Sequence, residues 1–120
     1  MLSGQAHQQV RAIRGQERSH ASRLERLIEE LGGTPPPGRS HAEYLRTFPR
    51  LRTPEDALRF AEDLEERQVR AYLEAVTDFP ALQLRLEAAG TCADEGTHLA
   101  AVRVLQGLPA AQGPFVTGAL

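Results

Sequence analysis

Three glutamates stand at positions where helical periodicity demands a core side chain. Glu17 lies within the stripe Val10, Ile13, Ala21, Leu24, Leu27 and Ile28, and Glu65 within Leu58, Ala61, Val69, Tyr72 and Val76. Glu95 lies within Leu84, Ala88, Cys92, Leu99, Val102 and Leu105. Apolar residues recurring at this spacing mark the buried face of an amphipathic helix. An isolated carboxylate on such a face carries a large desolvation penalty or takes up a proton. A fold that accepts three of them must bring each to a partner, and that requirement narrows the architectures open to this chain.

Two of the glutamates are followed three residues later by histidine, as Glu17-x-x-His20 and Glu95-x-x-His98. Residues at i and i+3 share one side of a helix, so each pair aims a carboxylate and an imidazole at one point. With twelve Glu and four His in 120 residues, chance placement gives roughly 0.4 such pairs. One pair alone reads as a buried Glu–His or Glu–Arg contact that fixes helix register. Two pairs on inward faces, with Glu65 on the helix between them, favour a metal site. Two Glu-x-x-His pairs on facing helices, joined by single glutamates from two others, build a two-metal centre in a four-helix bundle. Mixed carboxylate and imidazole donors suit iron or manganese, admit zinc, and do not suit thiolate-loving metals. Asp94 is placed either to accept a hydrogen bond from the free nitrogen of a liganding histidine or as a solvated helix acid. Tyr72, one heptad after Glu65, reads as a donor beside the ligands or as a core tyrosine with its hydroxyl satisfied. Cys92 reads as a small core residue, and His7 and His41 as surface histidines.

The helix boundaries follow from turn chemistry. A first helix over residues 5–31 is stopped by Gly32-Gly33 and by Pro35-Pro36-Pro37-Gly38. Residues 34–53 form a long crossover with a turn or two of helix around His41-Ala42-Glu43-Tyr44-Leu45, and Phe48 and Leu51 are candidates to pin it down. Thr53-Pro54-Glu55-Asp56 starts a second helix over 54–77: a capping threonine, proline at the first position, then acids against the dipole. The short break Asp78-Phe79-Pro80 implies an antiparallel neighbour, a third long helix over 80–106 halted at Gly107-Leu108-Pro109. The spacing predicts one domain over 1–107 and an extended or loose tail over 108–120.

Composition removes several classes. A net charge of −2 gives no electrostatic case for nucleic acid or for an anionic membrane. All fourteen basic residues are arginine. A single cysteine rules out an internal disulfide and a zinc–thiolate cluster. No apolar run is long enough to span a bilayer. Met1-Leu2-Ser3-Gly4-Gln5 lacks the basic start and apolar stretch of a secretory signal, so the expectation is cytoplasmic by default, with export open if the N-terminus is truncated.

The ordered set Glu17-x-x-His20, Leu31-Gly32-Gly33-Thr34-Pro35, Thr53-Pro54-Glu55-Asp56-Ala57-Leu58, Leu64-Glu65, Ala71-Tyr72 and Glu95-x-x-His98 with Leu105-x-Gly107 resembles the ferritin-like domain family. This is the branch that includes bacterial desiccation-related proteins. The resemblance spans nearly the whole chain to Gly107 and implies an all-α ferritin-like helical bundle with a dinuclear iron or manganese centre. It makes Glu17 and Glu95 bridging carboxylates, has His20 and His98 each cap one metal, and makes Glu65 the terminal carboxylate on the His98 side. The activity it implies is oxidoreductase chemistry on ferrous iron or peroxide, of ferroxidase or peroxidase type.

Two departures stand out. Gly96 replaces a larger helix former, at a local cost of about 1 kcal/mol. The family also places a helix before the one that bears Glu17, carrying a sixth ligand, and this sequence begins too late to hold it. Such a helix would bury about six or seven large apolar side chains, worth on the order of 10–20 kcal/mol. A domain's net stability is only about 5–15 kcal/mol. The expectation is a longer N-terminus, or a homo-oligomer (a dimer in the simplest case) whose second copy fills the groove, with the weaker metal on the His20 side. The alternative, from a different class, is a metal-free structural or stress-related helical interaction module.

Overall fold

A computed structural model describes residues 3–113, and their regular elements are all helices. In order they are α1 (Gly4–Glu30), α2 (His41–Thr47), α3 (Pro54–Asp78) and α4 (Leu82–Leu105). The tail expected over 108–120 is described as far as Gly113, and its part over 114–120 lies outside the described residues. The chain divides into two compact units, Met1–Arg52 and Thr53–Leu120.

In the first unit, α1 starts where the Ser3 hydroxyl accepts the Ala6 N–H at 3.2 Å. It ends in a paired C-terminal motif: Gly32 N–H donates to Glu29 O at 2.9 Å and Gly33 N–H to Ile28 O at 2.8 Å. Gly32 sits at φ 82°, a left-handed conformation that side chains resist. Gly33 is required by space, because a Cβ there would lie 2.9 Å from Ile28 Cγ2. Along the stripe, Ile13, Glu17, His20, Leu27 and Ile28 are half-buried, whereas Ala21, Val10 (39% exposed) and Leu24 (43% exposed) are open to solvent. The periodicity placed all of them inward. Within this unit the stripe has no second long helix to cover it, since α2 spans seven residues.

That short helix is set by a capping box. Ser40 Oγ accepts the Glu43 N–H at 3.3 Å, and the Glu43 carboxylate accepts the Ser40 N–H at 2.6 Å. Bonds from the Ser40 backbone and then its hydroxyl hold the Glu43 carboxyl below the usual range. Phe48 and Leu51, candidates to pin the crossover, remain 36% and 46% exposed.

The second unit is an antiparallel hairpin of α3 and α4. A second capping box opens it, with Thr53 Oγ1 accepting the Asp56 N–H at 3.0 Å and Asp56 Oδ2 accepting the Thr53 N–H at 3.1 Å. Cross-helix partners run in opposite order along the two arms: Val69 with Cys92, Glu65 with His98, Glu62 with Arg103. Leu58, Val69, Ala88, Leu99 and Val102 are buried. α4 closes on Gly107 at φ 74°, with Gly107 N–H to Val104 O at 2.9 Å and Leu108 N–H to Arg103 O at 3.0 Å. Arg103 ties this end down, donating from Nε to Pro109 O at 2.8 Å and from its guanidinium to Glu62. Glu62 also accepts from Gln106 at 2.7 Å, and Gln112 donates to Glu66. No helix among the described residues is long and apolar enough to cross a membrane.

Candidate metal centre

The apolar stripes of the hairpin are interrupted by ionisable groups at matching heights. On α3, Glu65 stands between Leu58 and Val69; on α4, Glu95 and His98 stand between Ala88 and Val102. Helical spacing puts each inside, and all three are buried: Glu65 is 5% exposed, Glu95 0% and His98 2%. Each offers one ligand atom, and these atoms lie within 4.8 Å of one another. His98 Nδ1 is 3.1 Å from Glu95 Oε2 and 3.7 Å from Glu65 Oε2. Gln68, one turn after Glu65 on α3, donates from Nε2 to Glu65 Oε2 at 3.4 Å.

The electrostatics of this interior favour a cation. Two carboxylates taken out of water lose their hydration, and their mutual repulsion grows as the surroundings become less polar. Cys92, one turn before Glu95, reports the same field: burial pushes its thiol up from the usual value, and the charge of Glu95 adds to the rise. Its Sγ lies 3.7 Å from Val69 O and donates there. Two carboxylates and one imidazole form a hard oxygen and nitrogen donor set, which fits iron, manganese or zinc.

The structure brings Glu65, Glu95 and His98 together in the second unit and Glu17 with His20 in the first. Glu17 Oε1 and His20 Nδ1 are 3.9 Å apart on one side of α1, with the side chains 30% and 14% exposed. Asp94 is exposed on α4, and Tyr72 is half-buried on α3. Gln68 is not among the residues that the Glu-x-x-His pattern marks, although its i+3 spacing from Glu65 is the same signal. The link from Arg103 to Glu62 carries no such signal, because it joins two helices.

The family model described as the ferritin-like domain matches residues 1–108. No curated protein and no solved structure matches the chain.

Proposed function

The chain belongs to the ferritin-like domain family, and from that premise we propose that it is a metalloprotein holding iron or manganese through Glu65, Glu95 and His98. Zinc suits the same donors. The reading rests on one observation above all: three ionisable side chains, each at most 5% exposed, converge inside a two-helix hairpin. Glu17 and His20, which share one side of α1, are proposed as further donors for the same class of ion. Bound iron supplies one-electron chemistry toward oxygen or peroxide, so the proposed activity is oxidation of ferrous iron or reduction of peroxide.

The chain's own residues have definable tasks in this proposal. Glu95 Oε2 and His98 Nδ1, 3.1 Å apart, hold each other in orientation. Gln68 keeps one oxygen of Glu65 oriented. The complete burial of Glu95 keeps bulk water from competing for its oxygens.

A second reading is a metal-free helical module, favoured by the contacts from Gln68 to Glu65 and between His98 and Glu95, which give the buried groups protein partners. Metal analysis of protein purified without chelators separates the two. The expected result is bound iron, manganese or zinc in the wild type, lost in Glu95→Ala and His98→Ala, and ferrous oxidation that depends on His98. Background metal in the wild type and both variants would refute the proposal.

A further inference from the structure

The segment from α2 to the end of the first unit carries a feature that the metal chemistry does not use. Tyr44, Leu45, Phe48 and Leu51 are 41%, 68%, 36% and 46% exposed. With Pro49 they wall a hollow of about 550 Å3. Sites for small molecules have volumes of roughly 300–1,000 Å3. The hollow is held in shape by local structure. The capping box fixes the start of α2, the rings of Tyr44 and Phe48 stack with centroids 5.3 Å apart, and Pro49 stiffens the exit.

Charge decides what such a hollow takes. His41, Arg50 and Arg52 join the lining. Between positions 39 and 52 stand four arginines (Arg39, Arg46, Arg50, Arg52) and one carboxylate, Glu43. Glu43 is outside the lining and is occupied at the cap, where it accepts from Ser40 N and Oγ at 2.6 and 2.7 Å. An apolar wall therefore meets a net positive edge. Guanidinium matches a carboxylate in charge and in fork geometry.

We propose that this hollow binds a single-chain anionic amphiphile, a long-chain carboxylate of the fatty-acid class, with its chain against Tyr44, Leu45, Phe48 and Leu51 and its head at Arg50. The positive edge selects the anion. The concavity selects a discrete chain over the broad, planar contact that a bilayer offers. The proposal is independent of the metal reading.

The test titrates the full chain calorimetrically with dodecanoate below its micellar concentration and, in parallel, with dodecyltrimethylammonium, which has the same tail and the opposite head. Co-sedimentation with phosphatidylglycerol vesicles forms the third arm. The expected results are saturable dodecanoate binding, binding of the cationic amphiphile weaker by about tenfold or more, and no sedimentation with vesicles. Arg50→Glu, at an exposed position, should weaken dodecanoate by about tenfold without changing the helical circular dichroism. Absence of saturable binding, equal affinity for the two head groups, or an unchanged Arg50→Glu titration overturns the proposal. So does binding to vesicles without binding to free dodecanoate, which would assign the patch to membranes. The comparison of head groups uses wild-type protein and stands even if a variant fails to fold.

Discussion

Replacing Glu95 with glutamine is the sharpest probe of the candidate centre, because it removes a charge at nearly constant volume from a side chain with no exposed surface. A glutamine amide can pair with His98 Nδ1 in either tautomer, through its oxygen or its NH2, so the metal-free variant should stay within about 1–2 kcal/mol of wild type. The metal-dependent part should change far more. A ligand that binds only the folded state at a hundred times its Kd adds about 2.7 kcal/mol. Unfolding entropy near 2.1 cal/mol/K per residue gives roughly 0.25 kcal/mol/K for the 120-residue chain, so that addition raises Tm by about 11 °C. If a neutral amide weakens binding about a hundredfold, the same metal concentration leaves about 0.4 kcal/mol, or about 2 °C. The assay is thermal denaturation followed by circular dichroism, with and without manganous, zinc or (anaerobically) ferrous ion. Glu74→Gln, on the exposed face of α3, serves as the control and should keep the full shift. An equal shift in Glu95→Gln and wild type, or no shift in wild type with any of the three metals, would refute the assignment.

Other substitutions test the scaffold. Gly33→Ala should destabilise by about 1–3 kcal/mol in urea, since its Cβ meets Ile28 Cγ2 at 2.9 Å. Gly96→Ala should stabilise by about 0.5–1 kcal/mol, because nothing lies within 4 Å of a Cβ added there; shifts of the same sign would contradict the geometry. Arg103→Met takes the charged one of two donors from Glu62, whose side chain is 16% exposed and keeps the bond from Gln106, and should lower stability by about 1–3 kcal/mol. That variant should also open the segment around Pro109 to proteolysis, and unchanged cleavage would show that Arg103 does not restrain it. The raised Cys92 pKa means that the folded state holds the thiol proton more tightly than the unfolded chain does. Its contribution is therefore full below the ordinary thiol value and is lost as pH rises through the raised one. The stability difference between wild type and Cys92→Ala should shift against wild type above about pH 8.5–9. A difference that stays flat to pH 10 would count against the burial argument.

What the sequence disclosed follows from which interactions are local. Thr53-Pro54-Glu55-Asp56 and Gly32-Gly33 are end signals whose partners lie within five residues, so they are legible without a fold. The burial of Glu65 and Glu95 was likewise legible, because each sits at the centre of an apolar stripe with period 3.6. The exposure of Val10 and Leu24 was not: periodicity names a face but does not say whether another helix covers it. The Ser40-x-x-Glu43 box has a sequence signature that ties a carboxylate to its own helix start, a stricter meaning than the helical turn or two read there. The bonds from Arg103 to Glu62 and Pro109 depend on hairpin register and on how the chain leaves Gly107, which no stretch of a few residues encodes.

The connection between α3 and α4 is short, and this shapes the order of assembly. Helical hairpins joined by a brief link close through contacts near in sequence and rank among the fast-forming units of proteins. Glu65, Glu95 and His98 therefore meet when the two arms zip, and two carboxylates shed their water in that same step. On the proposed reading, a cation bound there would offset the repulsion between them and favour the folded state. The folded fraction would then rise with metal concentration.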